Sequence, residues 1–560
     1  MGHAFSDALR AMAFLPSLRH DPRPMRRLLV WILPWLGLSF AVFASWMNLA
    51  VLDPTRLAWL LDGNDHGQAA IGLASYLRSP PPWPSLRSTM LMAPDGIPLA
   101  LIDSNPLLGM LLRPFASVLP AGIQYLGFWL LACILLHTAF AAALVRHFAP
   151  TPLATWIGAA LLTLMPVLLA RFGHVNLCAQ WLILWALWIY VDADRSARPG
   201  WWAALITTAI LIHPYILVMV AAIWASAMLR QAVLAPDRKA RAAMIGDVAI
   251  VVAPLLIVPL LIGIVSEPTM AVGGYGGFSM ALDALWNPNT ATYSALLPAK
   301  ALDPAQALEG MNYLGAGLLM LVTVALLQAF RHRAAMREDG LFRRLAWLVP
   351  AFAVLTLVAV APHLIWRGTV IATLPTPDWL GKLFDPIRAS GRMFWPVLYT
   401  LAFTAIVIAA RMRFGTWLLA GALLLQIVDM MPLLASARES GGAAEQVSPY
   451  RRTLDPRWDA LIARADMIQF EPPEMYRDLA LLEEVTWRAI VAGKPVRFFY
   501  ASRETVAVRR RLQVDSAVFA MGQADPRRLY VLLDGKPPPA LAGRVRKLDG
   551  VSIIPPGPAR

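Results

Sequence analysis

Apolar runs of about 17 to 25 residues, the length that crosses a bilayer as a helix, recur along most of this chain. They fall near residues 28–49, 120–145, 153–170, 176–191, 245–265, 314–330, 345–361, 395–410 and 414–433, with an interrupted stretch at 201–229. Composition agrees: 58% of the 560 residues are hydrophobic and 15% are charged, where soluble domains carry about a quarter charged. The chain therefore reads as a polytopic α-helical membrane protein.

Arg19, Arg23, Arg26 and Arg27 precede the first run, which is too long for a signal peptide, lacks a small-residue cleavage site, and reads as an uncleaved anchor. The net charge of +14 is dispersed through connectors rather than gathered on one patch, which argues against nucleic acid as a partner. Arg10 to Arg27, Arg146, Arg195 with Arg198, Arg230 to Arg241, Arg331 to Arg344, and Arg411 with Arg413 all fall on the cytoplasmic side, provided that 201–229 leaves and re-enters that side. His213-Pro214-Tyr215 sits at its middle, and proline breaks a helix, so two short spans are expected to meet there. The sum is about eleven spans in a domain over 1–435, with the amino terminus inside and the carboxyl terminus outside.

This topology leaves 50–118, 266–313, 362–394 and the chain after about 434 on the outer, periplasmic face of a bacterial inner membrane. Residues 436–560 are expected to form a soluble α/β domain, with strands at Met467-Ile-Gln-Phe, Val496-Arg-Phe-Phe-Tyr, Leu529-Tyr-Val-Leu-Leu and Val551-Ser-Ile-Ile and a helix over Tyr476 to Val491. That domain shows no nucleophile-base constellation, which favours a structural or substrate-guiding role. The two cysteines, Cys133 and Cys178, lie in apolar runs, which leaves no disulfide framework or cysteine-based metal site. There is no phosphate-binding Walker loop, paired zinc-ligand histidine motif or Gly-x-Ser-x-Gly elbow.

The first outer loop holds Asp62, Asp65 and His66, then Asp95 and Asp103. Any single Asp also suits a helix cap or a turn. Acidic groups spread through one loop of an otherwise apolar chain point to chemistry, because charge beside a bilayer is costly without a polar ligand. Sugar transfer from a phosphate-linked donor needs a base for the attacking hydroxyl and cations for the departing phosphate. Asp65 is the first candidate for base, with Asp62 and Asp103 beside it. Arg171 in Arg171-Phe-Gly-His174, and Arg388 and Arg392 before the 395–410 run, are candidates for the phosphate, since a guanidinium fork donates two hydrogen bonds together. His66, His174, His213, Tyr215, Tyr275, Asn312 and Tyr313 are candidates for binding substrate.

In these segments the chain resembles the multi-spanning glycosyltransferases of the C superfamily (GT-C), and more closely a bacterial multi-pass membrane family, DUF6311. The resembling segments are Asn64-Asp65 through Gly72, Ile102-Asp-Ser-Asn-Pro-Leu, Gln124-Tyr-Leu-Gly-Phe-Trp, Arg171-Phe-Gly-His174, His213-Pro-Tyr215, Glu309-Gly-Met-Asn-Tyr-Leu-Gly and Arg388-Ala-Ser-Gly-Arg392. The family pattern has Gly before the Asp and His a few positions after it, whereas this chain has Asn64 and Ala69 with His66 displaced. The choice between Asp65 and Asp62 therefore stays open. The resemblance implies a GT-C-like fold, a lipid phosphate as leaving group, and short helical segments of the first loop lying on the membrane around a cavity.

The expected function is transfer of a sugar from a polyprenyl-phosphate donor to a periplasmic glycan, lipid or protein. The one cofactor with a place in this scheme is a divalent cation, magnesium or manganese, at Asp65 and Asp103. Two other readings are a transporter or flippase of lipid-linked glycans and a non-catalytic envelope scaffold. Transporters tend to show paired repeats and several broken spans, and here a single broken span stands out.

Overall fold

The computed structural model describes residues 28–557 apart from 81–84, 266 and 271–272. The basic segment Arg10 to Arg27 lies outside the described residues. The protein is mostly helical, and seven helices among the described residues are long and apolar enough to cross a membrane: Leu28–Trp46, Leu126–Arg146, Pro214–Leu234, Arg238–Leu261, Gly340–Val360, Ser390–Ala410 and Gly415–Glu445. Three more apolar helices, Pro152–Thr163, Val175–Val191 and Ala316–Arg331, have 10–17 residues, and a straight helix of that length falls short of a full crossing.

Seven full-length helices thus stand where about eleven spans were expected, and proline accounts for part of the difference. Pro166 opens a short helix after Pro152–Thr163. The stretch 201–229 is broken as expected, into Pro199–Ile210 and Pro214–Leu234. At the break the His213 ring accepts the Tyr215 N–H at 3.2 Å, which satisfies one of the donors that a helix start leaves open.

Beyond the helices, the four-stranded sheet is ordered Met467–Glu471, Arg528–Leu532, Val551–Ile554, Arg546–Leu548. The first pair is parallel and the other two are antiparallel. Helices Arg457–Arg464, Leu479–Val491 and Val506–Ala520 accompany it. The helix Gly415–Gly442 runs on past the expected boundary at Ala435, and one hydrophobic core joins the helical and sheet-bearing parts.

The run Val496–Tyr500, expected as a sheet strand, is instead a joint. Its backbone divides its hydrogen bonds between Ile468 of the sheet and Met90 and Ala93 of the segment that follows the helix Leu28–Trp46, with Val496 N–H donating to Met90 at 2.7 Å and Arg497 N–H to Ile468 at 2.8 Å. The helix Leu479–Val491 packs on Asp65–Arg78. A side chain at Gly67 would strike Leu60 and Glu483, so glycine there permits the close approach.

Candidate functional site

Asp65 is the first residue of the helix Asp65–Arg78, after an extended Asn64, and the helix dipole favours a carboxylate at that end. Its Oδ1 accepts the Tyr500 hydroxyl at 2.9 Å, and its Oδ2 lies 3.1 Å from His174 Nδ1. Burial and the Asp65 carboxylate both push the Tyr500 hydroxyl above the ordinary phenol range, so it stays a proton donor. His174 closes the turn that begins at Arg171, and its Nε2 lies 3.0 Å from Glu309 Oε1. Both ring nitrogens thus face carboxylates, so His174 bridges Asp65 and Glu309.

Glu309, at the end of the short helix Pro304–Glu309, is the hub. Its Oε2 accepts Arg171 Nη1 at 3.1 Å and Arg392 through Nε at 2.6 Å and Nη2 at 2.5 Å. Burial opposes its ionisation, but Arg392, Arg171 and His174 outweigh burial and hold the carboxyl well below the usual range. Two guanidinium groups share this one carboxylate, which leaves positive charge over beside Asp65.

Asp103 lies opposite, in the left-handed region at φ 49° after Leu99–Ile102. Its carbonyl accepts Asn176 Nδ2 at 2.6 Å, and its Oδ1 is 3.6 Å from His213 Nε2. Burial pushes this carboxyl up to about 6, against the pull of His174 and with the help of Asp65. Ionising Asp103 therefore costs folding free energy: stability is fuller below about pH 4 and declines as pH rises through 6. The side chain keeps 23% of its surface open, which trims the effect. Asp103→Asn is expected to raise stability at pH 7.5 by about 1 kcal/mol, with the gain shrinking through pH 5 and vanishing below about pH 4 in thermal unfolding scans.

The other expected residues are distributed differently. Asp62 pairs with His66 at 2.9 Å, and His66 is buried on the Trp59 ring. Of the two carboxylates left open by the sequence, Asp65 is the one joined to the Glu309 cluster. Arg171, expected to present its fork to a phosphate, is fully buried and braces Glu309 and the Leu308 carbonyl. Arg392 stacks over Tyr215 at 5.1 Å, and the Tyr215 hydroxyl accepts the Ala389 N–H at 2.9 Å. Arg388 is exposed over Phe278.

Three residues expected to bind substrate are engaged within the fold. Asn312 donates to the Gly391 carbonyl at 2.9 Å, buried Tyr313 donates to Asp429 at 2.6 Å, and Tyr275 donates to the Val358 carbonyl at 3.3 Å. Asp429, within Gly415–Gly442, also accepts the first N–H of the helix Ala316–Arg331 at 2.9 Å.

Sequence reasoning missed Glu309 as a hub, together with Tyr500 and Glu483. An acid set between Leu308 and Gly310-Met-Asn-Tyr-Leu, close to a span, was the available signal for Glu309. Glu483 had none; it lies under the Asp65 turn, accepts Gly63 N–H at 2.8 Å, and burial raises its carboxyl well above the usual range. Among the described residues, no three His, Cys, Asp or Glu side chains are set to hold a metal ion. Each Asp65 oxygen has one partner, Tyr500 or His174, and Asp103 Oδ1 faces His213.

A family model described as "Domain of unknown function (DUF6311)" matches residues 36–431, and a second, described as "DUF6311 C-terminal domain", matches residues 457–556. No curated protein matches the sequence. Among solved structures, the chain is similar to the archaeal oligosaccharyltransferase AglB from Archaeoglobus fulgidus, in complex with an inhibitory peptide and a dolichol-phosphate. The identity is 13% and the TM-score 0.39, over 83% of this chain and 64% of that one. This chain thus spans just under two thirds of the length of that relative.

Proposed function

We propose that this chain, which belongs to the DUF6311 family, is a membrane glycosyltransferase that moves a sugar from a polyprenyl-phosphate donor to an acceptor on the outer face of a bacterial inner membrane. One observation carries the reading: the Asp65 carboxylate is joined through His174 to Glu309, the single acid that Arg171 and Arg392 share. That combination suits a reaction in which one group loses a proton while another departs as an anion. The orientation with the amino terminus inside, the eleven crossings, and a periplasmic α/β domain over 436–560 belong to the same proposal.

In the proposed step the acceptor hydroxyl gives its proton to Asp65 as its oxygen bonds to the anomeric carbon. The bond from that carbon to the donor phosphate oxygen breaks, and the electron pair leaves on the lipid phosphate. Arg392 and Arg388 balance the developing charge, Arg171 holds Glu309 in place, and Asp103 with His213 flanks the sugar. His174 orients Asp65 through its other nitrogen, as a carboxylate-bound histidine commonly does.

Tyr500 brings the sheet-bearing part into the same step by holding one Asp65 oxygen. Tyr500→Phe is expected to lower kcat about tenfold with little change in KM, the size of one hydrogen bond to a charged group, as read from initial transfer rates. The proposal as a whole is tested by lipid-linked sugar profiles of cells with and without the protein. Accumulation of one polyprenyl-phosphate sugar, with loss of a glycan modification, supports transfer. Unchanged profiles contradict it.

A further inference from the structure

Between the helix Gly340–Val360 and the helix Ser390–Ala410 the chain makes a hairpin and one short helix. Strands His363–Trp366 and Thr369–Thr373 pair antiparallel, turned by Arg367 and Gly368, both at positive φ. This is a tight two-residue connection that suits the twist of a hairpin. A lone two-stranded hairpin is marginal in water. This one is tied to the protein mainly along one side, where Ile365 is buried and its carbonyl accepts the Leu282 N–H at 2.8 Å.

The other side faces outward. Every residue of Thr369–Thr373 is exposed, and no residue of the helix Asp378–Phe384 is buried. Among the exposed groups are large apolar and aromatic side chains, Trp366 at 41%, Ile371 at 58%, Trp379 at 66% and Leu383 at 60%, with Trp286 set edge-on to Trp366 at 5.9 Å, and between them stand polar Thr369, Thr373, Asp378 and Lys382. In water such a surface, on an edge strand with no further partner in its two-stranded sheet, is an aggregation liability. Tryptophans together with apolar side chains are what the headgroup boundary of a bilayer accepts. The chain path fixes the depth, since the hairpin begins three residues after one bilayer-length helix ends and the segment closes on the start of another.

We propose that the hairpin His363–Thr373 and the helix Asp378–Phe384 lie in the outer interface of the bilayer, with Ile371, Trp366, Trp379 and Leu383 in contact with lipid. The surface does not depend on the transfer reaction. It leads to the site, however, because Phe384 stacks on Tyr275 at 5.1 Å and Arg388 and Arg392 follow in the chain. The segment forms a lipid-facing lip on the cation-bearing side of the cluster.

The native cysteines, Cys133 and Cys178, are buried, so single reporter cysteines label cleanly. Ile371→Cys and Leu383→Cys carry an environment-sensitive fluorophore on the full chain in phosphatidylethanolamine–phosphatidylglycerol nanodiscs, with Met521→Cys as a water-exposed control. A quencher attached near the lipid headgroup is expected to lower emission at 371 and 383 roughly twofold, as for interfacial segments, while aqueous iodide lowers only that at 521. Iodide quenching at 371 and 383 equal to that at 521 overturns the proposal. Shielding from both quenchers, with a dimeric mass by mass photometry, also overturns it in favour of a second copy of the chain on this face.

Discussion

Asp65→Asn is expected to lower sugar transfer by about 100- to 10,000-fold, the range for loss of a general base, while the protein stays in the membrane at its normal level. Asn keeps the size of the side chain and can still accept the Tyr500 hydroxyl, which lies 2.9 Å from Asp65. It cannot take a proton from an acceptor hydroxyl. Asp62→Asn provides the contrast: its partner is His66, against the Trp59 ring, so a modest loss is expected there. Equal losses at both positions would remove the assignment of Asp65 as base. Immunoblots of membrane fractions beside initial rates separate chemistry from folding.

Glu309→Ala is expected to remove most of the folded protein. It would leave Arg171, which is fully buried, and Arg392, at 8% side-chain exposure, without their shared acid. Stranding a buried charge costs about 3–5 kcal/mol, a large part of a typical folding free energy. Arg171→Met combined with Glu309→Gln removes charge from both sides and is expected to restore abundance in detergent melting curves. Transfer stays low in that double variant, because His174 and Arg392 lose the acid that positions them. Recovery of transfer would show that the Glu309 cluster serves folding alone.

Much of the helical layout was legible because apolar runs and prolines act locally. The break at His213–Pro214 followed from proline geometry, and the structure has it between Pro199–Ile210 and Pro214–Leu234. Asp65, His174, His213 and Arg392 stood out as polar groups in apolar surroundings, and the fold brings them together. What each partners was not legible, since pairing across 79 to 435 residues leaves no periodic trace. Arg171 looked like a free fork and is a brace for Glu309. Tyr313 and Asn312 looked like sugar contacts and hold Asp429 and Gly391. Tyr500 ends a strand-like run whose backbone partners are divided between two parts of the protein, so strand patterning concealed both the joint and the hydroxyl on Asp65.

The proposed reaction has Asp65 and the arginines around Glu309 move a sugar off a lipid phosphate. Its most direct test uses purified protein in nanodiscs, supplied with the radiolabelled polyprenyl-phosphate sugar that accumulates in cells lacking it and with envelope glycan from those cells. The expected result is one polyprenyl phosphate released for each sugar transferred, with release and transfer both lost in Asp65→Asn. Donor that stays intact with the wild-type protein, or release that continues unchanged in Asp65→Asn, would contradict the claim.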